Sequence, residues 1–154
     1  MRIPYIHDFE EWRTGFEFYY PVKVRFSETD LFGHLNNTVP FIYFEQARIE
    51  FLKQLGFMQN WLDPSNESIP VVANLQCDFL KQVFFDQELR VYVKAASVGN
   101  SSVDIHYMGV NADHQPVFCG RGTMVQMAKK TGKGLPWTEE QKELFGIPAA
   151  KIDG

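Results

Sequence analysis

Alternating hydrophobic and polar residues predict five strands along the chain. In the first, Tyr20–Ser27, the side chains of Val22, Val24 and Phe26 alternate with polar ones, which is typical of a strand with one buried face. Four more alternating segments follow residue 70. Their apolar faces begin at Val71, Leu89, Val103 and Val117. Because short turns join these segments, we expect them to pair antiparallel in one sheet.

One long helix is predicted between the first strand and the others. Residues Val39–Leu55 contain no glycine, Pro40 falls in the first turn, and Gly56 stands where helices often end. Either Asn37 or Thr38 can cap the helix. Apolar residues occupy most of its sides, so we expect it to be buried, with the sheet curled around it. One sheet leaves part of such a helix uncovered, which favours pairing with a second copy.

The two ends of the chain have weaker patterns. Residues 1–19 are interpreted as an N-terminal extension, with Trp12, Phe16 and Phe18 as candidate anchors. Thr138–Gln141 has the pattern of a capping box that opens a short helix ending at Gly146. The predicted organisation is an extension (1–19), a core domain (20–137), and a short C-terminal helix with a tail (138–154).

Length and charge narrow the class of protein. A chain of 154 residues is the size of one domain. The net charge of −4 argues against a generic nucleic-acid or anionic-membrane binder. No apolar run approaches the roughly 18 residues of a membrane span. Cys77 and Cys119 have no C-x-x-C spacing, and the N-terminus lacks a secretory pattern, so we expect a cytoplasmic protein.

The densest group of polar residues precedes the predicted helix. Ten residues hold Glu28, Asp30, His34, Asn36 and Asn37. A helix N-terminus presents unpaired N–H groups and the positive end of the helix dipole. A carboxylate beside such donors supplies two parts of an acyl-transfer site, a group that attacks or activates water and a group that binds the oxyanion. The alternative is a capping turn whose side chains only satisfy backbone N–H groups.

Two adjacent segments carry a family resemblance. Residues 24–37 have the sequence VRFSETDLFGHLNN, and residues 41–48 continue as FIYFEQAR. Both resemble the hot-dog-fold acyl-CoA thioesterases of the 4-hydroxybenzoyl-CoA thioesterase-like branch, over about residues 20–137. The T-D-x-x-G-H-x-N-N string is the most specific part. The resemblance implies an α+β hot-dog fold, with a five-stranded antiparallel sheet wrapped around one long central helix. It also implies a homodimer or homotetramer.

The resemblance further implies a role for each matched position. Asp30 would be the catalytic carboxylate, as nucleophile or as general base for water on the thioester carbonyl. Backbone N–H groups near Asn37 and Thr38 would polarise that carbonyl. The residues expected to shape the loop are Gly33, His34 and Asn36. One departure is Pro40, which replaces a common tyrosine and removes a hydroxyl and a backbone donor from the first helical turn.

A basic stretch near the C-terminus is a candidate for binding coenzyme A. No acidic residue occurs between Asp113 and Glu139. The candidate phosphate ligands in this stretch are Arg121, Lys129, Lys130 and Lys133. The alternative is a solvated strand end carrying lysines that prevent aggregation. Coenzyme A is expected only as part of the substrate, and no other cofactor is predicted.

Other chemistries find less support in the sequence. The four histidines have no metal-ligand spacing, so no metal site is predicted. Three functions remain as alternatives to acyl-CoA hydrolysis. They are hydrolysis of acyl-carrier-protein thioesters, hydration or dehydration of an acyl thioester, and binding of acyl thioesters without turnover.

Overall fold

The computed structural model describes residues 2–146. The helices are α1 (Phe9–Thr14), α2 (Val39–Leu55), α3 (Phe57–Trp61) and α4 (Glu139–Leu144). The strands are β1 (Phe18–Lys23), β2 (Ser68–Val72), β3 (Gln76–Phe79), β4 (Glu88–Val98), β5 (Ser102–Val110) and β6 (Pro116–Ala128). None of the described helices is long and apolar enough to cross a membrane.

The strands form one antiparallel sheet in the order β1–β4–β5–β6, with β2 and β3 both on the far side of β6. β2 pairs with the end of β6 and β3 with its beginning, so the two are halves of one interrupted edge strand. The interruption lies at Asn74, whose Oδ1 accepts the Thr123 N–H at 3.1 Å. With β2 and β3 counted together, the predicted five-stranded architecture is confirmed.

α2 packs across the inner face of this sheet, and its bounds are those predicted from the sequence. Gly56 ends the helix with φ +95°, and its N–H donates to the Leu52 and Lys53 carbonyls. Phe44 and Ala47 are fully buried, whereas Ile42 on the other side is half exposed. The helix is therefore covered by the sheet on one side only.

Both predicted bounds of the first strand, Tyr20–Ser27, differ from the structure. β1 begins at Phe18, which therefore belongs to the sheet and not to the N-terminal extension. β1 ends at Lys23, and residues Phe26–Glu28 form a 3-10 turn. The Glu28 carboxylate accepts the Arg25 N–H at 2.8 Å and turns the chain away from the sheet. Val24 is buried as predicted, but Phe26 is 76% exposed.

The N-terminal residues pack on the outer face of the sheet, the face opposite α2. Trp12 and Phe16 are buried there against Met108 and Cys119. The indole N–H of Trp12 donates to His106 Nδ1 at 2.8 Å. These contacts fix the segment before β1 to the centre of the sheet.

The C-terminal capping box is confirmed. The Thr138 hydroxyl accepts the Gln141 N–H at 3.1 Å, and the Gln141 side chain accepts the Thr138 N–H at 2.9 Å. The predicted tail beyond Gly146 lies outside the described residues.

Candidate active site

A cavity of about 590 Å³ opens between the N-terminus of α2 and the end of β3. One wall is formed by residues of the turn before α2, which are Asp30, His34, Leu35, Asn36 and Asn37. The opposite wall is formed by Phe79, Leu80, Lys81, Gln82, Val83 and Phe118. Four of the residues expected at the site, Asp30, His34, Asn36 and Asn37, thus line one cavity, and Gly33 and Thr38 belong to the same turn.

Asp30 is held by the turn it begins. Its Oδ1 accepts the backbone N–H groups of Phe32 at 2.9 Å and His34 at 3.1 Å. The Asp30 N–H donates to the His34 carbonyl at 2.8 Å. Its Oδ2 has no hydrogen-bond partner within residues 2–146, and the residue is exposed. One carboxylate oxygen is therefore fixed, while the other is free to contact water or a substrate.

Gly33 and His34 shape this turn. Gly33 has φ +81°, which L residues rarely adopt, and its N–H closes the turn onto the Asp30 carbonyl at 3.0 Å. The His34 ring lies edge-on to Phe84, with the centroids 5.1 Å apart. His34 thus contributes its main chain to Asp30 and its ring to the cavity wall.

The start of α2 differs from the predicted cap. Thr38 is the N-cap residue, but neither its side chain nor that of Asn37 makes a capping hydrogen bond. The Thr38 N–H and hydroxyl both donate to Asn36 Oδ1 at 3.0 Å. The Thr38 amide is thus already used inside the turn. The Asn37 N–H has no acceptor within the described chain, so it is the better candidate for a carbonyl-polarising donor.

Glu28 connects the turn that carries Asp30 to α2, a role that no sequence signal indicated. Its buried carboxylate accepts the Tyr43 hydroxyl at 2.8 Å, and its carbonyl accepts the Asn36 N–H at 2.8 Å. Burial acts to raise the pKa of Glu28, but the hydrogen bonds from Arg25 and Tyr43 lower it overall. Burial and the Glu28 carboxylate raise the pKa of Tyr43. The hydrogen bond between Glu28 and Tyr43 joins the turn to α2 and so helps to hold the turn that carries Asp30 against the helix.

The basic residues predicted to bind coenzyme A do not line the cavity of their own subunit. Arg121 lies on the outer face, where its guanidinium contacts Asp104 at 2.8 Å. Lys129, Lys130 and Lys133 lie in the turn after β6. The ten residue-to-residue steps from Phe118 to Ala128, the end of β6, span roughly 33 Å, so this turn is at the opposite end of the strand.

Neither cysteine has the environment of a nucleophile. Burial raises the pKa of the Cys77 thiol to about 12 and that of the Cys119 thiol to about 11. Both are therefore protonated near neutral pH. The described part of the chain also contains no group of three His, Cys, Asp or Glu side chains that could hold a metal ion.

Comparison with known proteins gives a consistent class. Residues 24–145 match the model of the thioesterase-like superfamily. The chain is 48% identical over 145 residues to the protein YsmA of Bacillus subtilis, covering 93% of this chain and 96% of that one. It is 30% identical over 90 residues to the acyl-CoA thioesterase YbgC of Haemophilus influenzae, covering 58% of this chain and 65% of the relative.

A solved structure shares the fold. The thioesterase from Thermus thermophilus, crystallised with coenzyme A and Zn, superposes with a TM-score of 0.72 at 26% identity. The match covers 86% of this chain and 100% of that one. The fold and the family match place this chain among hot-dog proteins that act on thioesters. It belongs to the thioesterase-like superfamily.

Proposed function

We propose that the protein hydrolyses an acyl-CoA thioester to the free acid and coenzyme A. The observation that carries this proposal is the free Oδ2 of Asp30, which lies in a cavity beside a helix start without a side-chain cap. A carboxylate and a group of N–H donors are sufficient for this chemistry because thioesters are already activated acyl compounds.

Asp30 can act in two ways. As a nucleophile, its oxygen attacks the thioester carbonyl carbon, the C–S bond breaks, and coenzyme A leaves as a thiolate; water then hydrolyses the mixed anhydride. As a general base, Asp30 removes a proton from the water that attacks the same carbon, and the thiolate leaves from the tetrahedral intermediate. In both routes the Asn37 N–H and the positive end of α2 stabilise the carbonyl oxygen as it becomes negative.

A second copy of the chain is part of the proposal, as a homodimer or homotetramer. Within residues 2–146, the edge strand formed by β2 and β3 pairs with β6 on one side and with no strand on the other. Its Ile69, Val72 and Phe79 are exposed, as is Phe84 beside the cavity. Antiparallel pairing of two such edges about Asn74 would cover these side chains and place the partner's β2 beside the cavity.

The same pairing gives the lysine turn a route to the substrate. Ser68, at the start of β2, pairs with Ala128 at the end of β6, directly before Lys129 and Lys130. An edge-to-edge dimer would therefore bring the partner's lysine turn toward the cavity, where it could bind coenzyme A phosphates. Arg121 is not part of this proposal, because Asp104 already engages its guanidinium.

The test is thiol release from a panel of aliphatic and aryl acyl-CoAs, followed with a chromogenic disulfide. We expect Asp30→Asn to lose at least about 10²-fold in kcat/KM, the scale for losing a general base. Asp104→Asn is the matched control, because it removes a carboxylate from the outer face of the same sheet. We expect that variant to keep its activity at temperatures where it is folded.

Three results would contradict the proposal. If the wild type binds acyl-CoA and releases no thiol, the protein is a binding module, or a hydratase when enoyl-CoA is hydrated instead. If Asp30→Asn is as fast as the wild type, Asp30 is not the reacting group. If acyl carrier protein thioesters are cleaved much faster than acyl-CoAs with the same acyl chain, the carrier assignment is wrong.

A further inference from the structure

The inner end of the cavity is closed by buried side chains. Among its lining residues, Phe118 is 1% exposed, Val83 3% and Leu35 9%. Asp30, Asn37, Lys81 and Gln82 form the exposed rim. The cavity therefore has a polar mouth and an apolar floor, and Phe118 is the largest side chain of that floor.

Phe118 adopts its position because the neighbouring strand has no side chain there. In the sheet, Phe118 of β6 lies opposite Gly109 of β5 on one side and Phe79 of β3 on the other. A Cβ added to Gly109 would stand 2.4 Å from Cε1, 2.6 Å from Cζ and 2.8 Å from Cδ1 of the Phe118 ring. Three ring atoms thus occupy the space of a side chain at position 109. The ring leans over β5, away from β3 and the cavity mouth.

Packed aromatic rings hold Phe118 in this position. Phe44 of α2 meets it edge to face, with the centroids 5.7 Å apart, and stacks on Tyr107 at 4.4 Å. Phe44 itself needs Gly120, since a Cβ there would lie 2.5 Å from the Phe44 ring. Two glycines in adjacent strands therefore make room for two rings beside the turn that carries Asp30. Glycine weakens a strand interior and often marks such a close approach.

We propose that Gly109 and Phe118 together set the depth of the acyl site and thereby the substrate class, which is short-chain and aromatic acyl thioesters. This inference rests on the proposed hydrolase function. With glycine at position 109, the Phe118 ring occupies the space over β5 and leaves room in the cavity for a small acyl group. The same ring blocks a long chain from reaching the core. Gly109 is a positioning residue, and Phe118 contacts the end of the acyl group.

The test uses a double-mutant cycle and a series of acyl-CoAs from butanoyl to dodecanoyl, with benzoyl-CoA. Phe118→Leu should raise the ratio of kcat/KM for dodecanoyl over butanoyl by at least about 10-fold, the scale of discrimination in an apolar pocket. Gly109→Ala should push the ring into the cavity and lower kcat/KM for benzoyl-CoA and for the longest accepted chain by a similar factor. The double variant should restore the benzoyl-CoA rate to near that of the wild type, because leucine leaves room for the added methyl group.

Phe57→Leu is the control for the general effect of replacing a buried phenylalanine with leucine. Phe57 packs against Trp61 and Trp137 in α3 and the C-terminal segment and does not line the cavity. It should leave the chain-length profile unchanged. If Gly109→Ala does not fold, Phe118→Leu alone decides, and a profile unchanged within about threefold overturns the proposal.

Binding measurements separate this proposal from the proposed hydrolysis. Thioether analogues of acyl-CoA cannot be hydrolysed, and their Kd reports the depth of the site directly. The wild type could hydrolyse no acyl-CoA while the chain-length dependence of Kd shifts in Phe118→Leu. That result would contradict the proposed hydrolysis and support the proposal that Phe118 limits the depth of the site. If the protein hydrolyses acyl-CoAs and the chain-length profile of kcat/KM does not shift in Phe118→Leu, the proposed hydrolysis is supported. The proposal that Phe118 limits the depth of the site is then overturned.

Discussion

The outer face of the sheet and the turn before α2 each carry a histidine close in sequence to an aspartate, and only the pair in the turn lies at a candidate active site. On the outer face, His106 Nδ1 accepts the Trp12 N–H and Nε2 lies 3.0 Å from Asp104 Oδ2. Arg121 occupies both Asp104 oxygens, at 2.8 and 3.3 Å. In the turn, Asp30 lines the cavity, and its Oδ2 has no hydrogen-bond partner within residues 2–146.

The two pairs differ in whether their polar atoms already have hydrogen-bond partners within the protein. An indole nitrogen is only a donor, so His106 Nδ1 must be unprotonated and Nε2–H donates to Asp104. Burial acts to raise the pKa of Asp104, but its hydrogen bonds to His106 and Arg121 lower it overall. Each of these polar groups already has its partner within the protein. The outer pair therefore holds the N-terminal segment in place, and Asp30 in the turn remains available for chemistry.

The largest effect is expected from removing Trp12, which anchors the outer pair. We expect Trp12→Ala to lower the free energy of unfolding by about 3–5 kcal/mol, the usual cost of deleting a buried aromatic ring. Thioester hydrolysis below the melting temperature should be unchanged, because Trp12 lies on the face opposite the cavity. Urea denaturation and thiol release measure the two quantities.

Trp12→Phe is the matched control, since it keeps most of the ring and removes the hydrogen bond to His106. It should be less destabilising than the alanine variant. A large loss of kcat/KM in either variant, measured while the protein is fully folded, would show that the outer face of the sheet and the candidate active site are coupled.

A smaller effect is expected at Gly33, which shapes the turn before α2. An added Cβ at Gly33 meets no atom within 4 Å, so the cost of Gly33→Ala comes only from its φ of +81°. We expect a loss of about 1 kcal/mol in stability and a fall in kcat/KM, because the turn that holds Asp30 is strained. Gly56→Ala is the control, since φ is +95° and the space is again open, but Gly56 lies at the other end of α2 and does not line the cavity. Equal losses of activity in both variants would contradict a role of Gly33 in positioning Asp30.

Local signals explain which features could be predicted from the sequence. The bounds of α2 follow from Pro40 and Gly56, which act within one turn of the helix, and the capping box at Thr138 is equally local. The turn at Asp30 is recognisable because it is a continuous string that resembles a known family, and the catalytic role of Asp30 stays a prediction. Each of these signals lies within a few residues of the structure it specifies.

The features that the sequence did not predict depend on contacts between distant positions. Arg121 was assigned to coenzyme A because its pairing with Asp104, on the neighbouring strand, cannot be read from the sequence alone. The hydrogen bond from the Trp12 indole to His106 joins residues that are 94 positions apart in the sequence. Phe26 continues an alternating pattern, but the hydrogen bond within Arg25–Glu28 turns it out of the sheet.

The smallest expected effect concerns the pH dependence of Glu28, which joins the turn that carries Asp30 to α2. Its pKa in the folded protein is lowered from 4.5, so its stabilising contribution is present above pH 4.5 and is lost as the pH falls through the folded value. Glu28→Gln should therefore be less stable than the wild type at pH 7, by about 1 kcal/mol, and the difference should shrink toward pH 3. Urea denaturation at a series of pH values measures it, with Glu45→Gln on the exposed side of α2 as the control. A difference that grows as the pH falls would mean that burial of the Glu28 carboxylate, rather than its hydrogen bonds to Arg25 and Tyr43, controls its charge.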